Sequence, residues 1–304
     1  MRDRREARGR GHGAGTPPPF SEDMRDPSPL ASSHSPGSVA MFDAYAPPQI
    51  AVRVRDVGVT KATAPKLTTL GLGVLAGAFI ALGGLFYTVT TTSGTQAALP
   101  FGLARFVGGL AFSLGLILVV VGGAELFTGN NLIAMAWAAG KVQTGQVVRN
   151  WLLVYAGNLV GALGTVVLVL LAGVNGDGAV ADNAVRIART KVSLDPVTAA
   201  ASGVLCNALV CLAVWLCMGA RGVADKILAI LFPISAFVAC GLEHSIANMY
   251  FLPMGMALTW EAPVPIGFGE MLANLFMVTV GNIVGGSLLV ALVYWFVYLR
   301  ERTG

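Results

Sequence analysis

Charge is scarce in this sequence: 12% of its 304 residues are charged against 55% hydrophobic, and the mean hydropathy is positive. A soluble globular domain carries about twice that charged fraction, so the composition excludes one and implies a chain dissolved in lipid. Cysteine occurs four times, as Cys206, Cys211, Cys217 and Cys240, inside apolar runs and without C-x-x-C spacing, which excludes a metal knuckle or dithiol motif and predicts buried, reduced thiols. Of three histidines only His244 stands in the apolar part, too few ligands for a metal centre. There is no G-x-S-x-G elbow, no phosphate-cradling glycine loop and no nucleic-acid signature. A hydrolase built on the consecutive Glu243, His244 and Ser245 is disfavoured, because neighbours in sequence do not form a relay by themselves. No catalysis, cofactor, metal or nucleic-acid partner is expected.

What is plentiful is glycine, 38 residues among apolar ones, as suits transmembrane helices whose backbones approach closely. Residues 1–48 differ from the rest. They are rich in Arg, Pro, Gly and Ser and lack the apolar core of a signal peptide, so they read as a disordered tail ahead of a transmembrane domain over 49–304. Met41 is a candidate start.

Uncharged runs cover Leu67–Ala104, Phe106–Ala124, Trp151–Gly176, Val197–Ala220, Ile227–Leu242 and Met271–Leu299. A span needs about 20 residues, and most of these suffice. Two stretches are longer than one crossing requires: Phe106–Gly140, interrupted only by Glu125, and Ile227–Trp260, interrupted only by Glu243 and His244. Each interruption is followed by small and polar residues, ELFTGNN and EHSIAN, which predicts a helix, a break lining an enclosed cavity and a second half-helix.

The two halves echo each other. Glu125 precedes Asn130 by five residues as Glu243 precedes Asn248, and GNLVGA at Gly157–Ala162 matches GNIVGG at Gly281–Gly286. The expected fold is therefore an all-α membrane protein of six spans, an inverted repeat of three and three with broken second and fifth helices. Short basic loops with Lys141, Arg149, Arg221 and Lys226 place both termini in the cytoplasm. The loop Gly173–Pro196, external in this scheme, dissents with Arg186, Arg189 and Lys191.

Ionisable groups within a membrane mark a pathway unless they are structural. Glu125 and Glu243 hold equivalent places, so they read as props, each with its asparagine, accepting from backbone N–H groups freed at the breaks. His244 has Leu126 at its equivalent place, so scaffolding does not require it. Half-helix N-termini favour an anion, and an imidazole there can exchange a proton with a passing weak acid.

The segments AELFTGNNL (Ala124–Leu132), VYAGNLVGAL (Val154–Leu163), CNALVCLAVWL (Cys206–Leu216), EHSIANMYFLPMG (Glu243–Gly255) and GNIVGGSLLVALVYWFVYLRE (Gly281–Glu301) together resemble the formate/nitrite transporter family, from Phe42 to Glu301. The resemblance implies a homopentamer in the cytoplasmic membrane, with an aquaporin-like protomer and one pore per subunit for small monovalent anions such as formate and nitrite. It implies His244 as the central pore histidine, Asn207 as its polar partner and Thr128 as the threonine facing it. Lys191 becomes the loop lysine that draws anions into the external vestibule. Leu126 and Phe127 fall in the mobile loop at the second-span break, and Phe112, Leu116 and Phe237 narrow the pore on either side of the histidine. A bare anion crosses such necks with difficulty, so the expected cargo gains a proton near His244. The rival reading, a water, glycerol or urea channel, lacks its paired N-P-A turns here.

Overall fold

The computed structural model describes residues 44–92, 99–174 and 178–300, and all that follows concerns the unit Phe42–Gly304. The tail expected over residues 1–48 lies outside the described residues as far as position 43, and Met41 with it. Among the described residues every regular element is helical.

The chain opens with α1 (Pro47–Thr63), set by prolines in its first turn and burying Ile50, Ala51, Val54, Gly58 and Ala62 along one stripe. It continues through α2 (Lys66–Thr90) and α3 (Phe101–Gly122) to a short α4 (Phe127–Asn130), which runs through a tight 3-10 turn at Asn131–Ile133 into α5 (Ala134–Ala138). Next comes α6 (Thr144–Leu171). The second half repeats this order with α7 (Ala179–Val192), α8 (Pro196–Gly219), α9 (Val223–Ala239), α10 (Ser245–Leu258) and α11 (Phe268–Ile283), the last prolonged by a π-helical stretch, Val284–Leu292, into α12 (Val293–Tyr298). Among the described residues five helices are long and apolar enough to cross a membrane: Lys66–Thr90, Phe101–Gly122, Thr144–Leu171, Pro196–Gly219 and the continuous Phe268–Tyr298. α9 and α10, with 17 and 14 residues, are each shorter.

Two sequence expectations need correction. Within the stretch expected as a loop, residues Ala179–Val192 form a helix whose buried Asn183, Ala184, Ile187 and Ala188 make one face, because i, i+4 spacing lets charged residues stay outside. Nor are all four thiols buried. Cys206, Cys211 and Cys217 are, but Cys240 is exposed at the C-cap of α9.

Helical geometry stops at both places where the sequence puts an interruption. Gly123 caps α3 at φ 80° and Gly241 follows α9 at φ 71°, a left-handed conformation that glycine adopts without a Cβ clash. The residues before each following half-helix, Leu126 and His244, are extended, at φ −103°, ψ 125° and φ −120°, ψ 115°.

Packing is duplicated as well. α2 lies against α3 and α6, as α8 lies against α9 and α11, while α3 and α9 meet across the middle. α1 rests on the 3-10 turn and α5, as α7 rests on α10. Backbones touch at the two GxxxG-bearing contacts. A Cβ on Gly161 would overlap the Val74 carbonyl oxygen, and one on Gly285 that of Val204.

Candidate functional site

At each break four side chains close a polar ring. In the first half Lys61 Nζ lies 3.0 Å from Glu125 Oε1, while Asn130 Nδ2 donates to Glu125 Oε2 at 2.6 Å and to Asn150 Oδ1 at 2.9 Å. Asn150 returns a hydrogen bond to the Lys61 carbonyl at 3.0 Å. In the second half Lys191 Nζ lies 2.9 Å from Glu243 Oε1, and Asn248 Nδ2 donates to Glu243 Oε2 at 2.7 Å and to Asn274 Oδ1 at 2.8 Å. Asn274 closes that ring on the Lys191 carbonyl at 2.8 Å. Each ring ties the amphipathic helix, the break and the third long helix of its half together.

A second asparagine in each half caps the half-helix. Asn158 Oδ1 accepts from the Phe127 N–H at 3.0 Å while its Nδ2 donates to the carbonyls of Gly73 and Glu125. Asn282 accepts from the Ser245 N–H at 2.9 Å and donates to the carbonyls of Gly203 and Glu243. The carboxylates therefore do not do the job the sequence reading gave them. Glu125 and Glu243 bind a lysine and an asparagine, and at each break one freed backbone N–H, that of Phe127 or Ser245, goes instead to Asn158 or Asn282, whose amides offer acceptor and donor together.

Between the rings lies a polar centre without such duplication. His244 is the N-cap of α10, and its Nδ1 accepts from the Ala247 N–H at 3.1 Å. With Nδ1 an acceptor, the proton of a neutral ring is on Nε2. Nε2 lies 2.9 Å from Thr128 Oγ1, so the hydroxyl accepts from the ring and keeps its own proton for another acceptor. The Thr128 carbonyl in turn accepts from Asn207 Nδ2 and from the Cys211 thiol, both at 3.3 Å. Asn207 Nδ2 also reaches Asn131 Oδ1 at 3.0 Å and the Asn282 carbonyl at 2.6 Å, so it locks α4 to the last long helix. Thr128, His244 and Asn207 are all fully or nearly fully buried.

Two cavities flank this centre. One, of about 220 Å³, is lined by Lys61, Glu125, Leu126 and Leu116; the other, of about 140 Å³, by Lys191, Glu243, His244, Phe112 and Phe237. Phe112 and Leu116, one turn apart on α3, thus face different cavities. The Phe237 ring meets Phe112 edge-on at 5.6 Å and stacks on the His244 imidazole at 5.9 Å. Phe127 instead packs edge-on against Tyr155 and Trp151 of α6.

Sequence reasoning missed Lys61, Asn150, Asn158, Asn274, Asn282, Asn131 and Cys211. A signal existed for some of them. Lys61 and Lys191 both follow a threonine and precede a proline that opens the next region, and the asparagine of both GN motifs stands at the same repeat position.

Comparison with known proteins gives concordant matches. Residues 48–296 match the family model described as "Formate/nitrite transporter". The chain is 44% identical over 278 residues to "Formate channel FocA" of Escherichia coli (strain K12), covering 86% of this chain and 97% of the relative. Among solved structures, "Pentameric formate channel with formate bound" superposes with a TM-score of 0.71 at 39% identity over 77% of this chain and 98% of that one. "FNT family ion channel" superposes with a TM-score of 0.70 at 29% identity over 83% and 98%.

Proposed function

The chain belongs to the formate/nitrite transporter family, and from that premise we propose that it is a multi-pass membrane channel carrying small monovalent anions, formate first and nitrite second, through a pore in each protomer. The observation that carries this reading is the 2.9 Å contact of His244 Nε2 with Thr128 Oγ1, set between two cavities at the meeting of both half-helices. The duplicated rings support a six-span inverted repeat, with α3–α5 and α9–α10 as the broken spans. A pentamer, as named for the formate-bound relative, is the proposed assembly, in the cytoplasmic membrane with both termini inside.

In the proposed pathway an anion enters one cavity, passes Phe112 and Phe237, and meets hydrogen-bond donors at His244 and Thr128. Moving a bare charge across the apolar neck is expensive, so it crosses as the acid. For His244 to supply that proton the ring must first hold two, and the second can enter only at Nδ1, displacing the Ala247 N–H. Proton exchange is thereby tied to the first turn of α10. Asn207 holds Thr128 in place through its carbonyl, and Leu126 and Phe127 form the proposed gate beside the first cavity.

Reconstituted vesicles test the reading. Formate and nitrite are expected to enter, faster when the source side is acidic, whereas glycerol is excluded. Glycerol entry at the formate rate would contradict it and favour a neutral-solute channel.

A further inference from the structure

The two cavities share a ring of the same design but differ in their remaining charge. Among the described residues the first is lined by Lys61 and Glu125 and by no other charged side chain, so the formal charges of that lining cancel. The second adds Arg105 and Arg186 to Lys191 and Glu243, which leaves a net excess of positive charge. Within it the Lys191 ammonium is already engaged, 2.9 Å from Glu243 Oε1 and 5.4 Å from the Phe251 ring centroid. The guanidiniums are not engaged in that way. Arg105 donates once, from Nη1 to the Ala239 carbonyl at 2.9 Å, and lies over the Phe101 ring at 4.7 Å. Arg186, exposed on α7, donates from Nη2 to Asn183 Oδ1. Among the described residues neither forms an ion pair with a carboxylate; Asp182, one turn from Arg186, shares a rim with it without pairing. A guanidinium has five N–H donors in a planar fork, so each arginine keeps donors for a ligand while one bond holds it in place.

We infer that Arg105 and Arg186, rather than Lys191, capture the anion at the second cavity and give the pore unequal affinities from its two sides. The inference rests on the anion-pore reading above. A planar monovalent anion with two equivalent oxygens, a small carboxylate or nitrite, matches the fork of either arginine. The excess positive charge raises the local anion concentration before the ligand reaches His244. Nothing equivalent stands at the first cavity, where the Lys61 charge is offset by Glu125. A passive pore cannot favour one direction at equilibrium. The lower half-saturating concentration on the α7 side is therefore matched by a lower maximal rate from that side.

The experiment is zero-trans formate flux in proteoliposomes of one orientation, checked by protease access to a C-terminal tag, with equal pH on both sides. For the unsubstituted protein the half-saturating formate concentration is expected to be about fivefold lower from the α7 side than from the α1 side. The gap should close as salt shortens the Debye length from about 10 Å at 0.1 M to about 3 Å at 1 M. R105Q/R186Q is expected to raise the α7-side value to the α1-side value and leave the latter unchanged, and R105K/R186K to retain most of the difference. Because Arg186 is exposed, R186Q alone keeps the test open if the double variant fails to assemble, with about half of the effect on a logarithmic scale. Unchanged α7-side half-saturation in R186Q or in the assembled double variant overturns the inference while leaving the pore reading intact. Absence of formate flux from either side in the unsubstituted protein overturns the pore reading itself.

Discussion

Lys191 and Glu243 form a 2.9 Å ion pair that repeats, with the same asparagine partners, the 3.0 Å pair of Lys61 and Glu125. The Glu243 side chain is 4% exposed and that of Lys191 13%, so the pair is largely shielded from water. Removing one partner of a buried pair strands the other, at about 3 to 5 kcal/mol, whereas replacing both by apolar groups of similar volume is close to neutral. Lys191→Ala is therefore expected to lower the unfolding temperature of the detergent-solubilised protein sharply, and Lys191→Met combined with Glu243→Leu to recover much of the loss. A flux defect in Lys191→Ala with an unshifted unfolding temperature would show that the lysine acts on the anion instead.

The asparagines of the GN motifs carry a second prediction. Asn158 and Asn282 each satisfy one N–H and two carbonyls at a break. A buried backbone group left unpaired costs about 1 to 3 kcal/mol, so Asn158→Leu and Asn282→Leu should each destabilise by several kcal/mol. Asn282→Leu is further expected to depress flux in protein that still assembles, because the Asn282 side chain holds both neighbours of His244, its Oδ1 accepting from the Ser245 N–H and its Nδ2 donating to the Glu243 carbonyl. Expression, unfolding temperature and flux of the two variants, measured side by side, check this. Equal flux per assembled molecule would contradict it.

Helix contact gives a third. A Cβ at Gly161 or Gly281 would overlap the carbonyl oxygen of Val74 or Ala200, whereas one at Gly164 meets nothing within 4 Å. Gly161→Ala and Gly281→Ala should push their helices apart and abolish assembled protein. Gly164→Ala should express normally, as judged by size-exclusion chromatography.

Much of this was legible in the sequence, and the reasons are physical. Apolar runs report spans because lipid demands them, and Glu125 and Glu243 betrayed the breaks because a carboxylate in an apolar run is conspicuous. The pairing of Thr128 with His244 followed from family resemblance, since nothing local in FTGN points to a histidine over a hundred residues away. Lys61 escaped because it ends an amphipathic helix outside every apolar run, where a lysine looks like ordinary surface charge. The asparagine ligatures escaped for the opposite reason: Asn158 and Asn282 sit inside glycine-rich helix contacts, where an amide reads as interhelical glue. The duplicated scaffold hides one more regularity. Thr128, His244 and Asn207 lie where the halves differ, with Ile246, Leu126 and Gly77 at the matching places, so the repeat builds the frame and its exceptions build the site.

The central claim is that His244 exchanges a proton with the passing anion. The most direct measurement is the pH profile of formate flux in vesicles carrying His244→Asn, a substitution that keeps a side-chain oxygen for the Ala247 N–H but has no titrating ring. The account predicts an assembled protein whose formate flux falls by about a hundredfold and no longer responds to pH. A variant with the original pH profile and rate would contradict it.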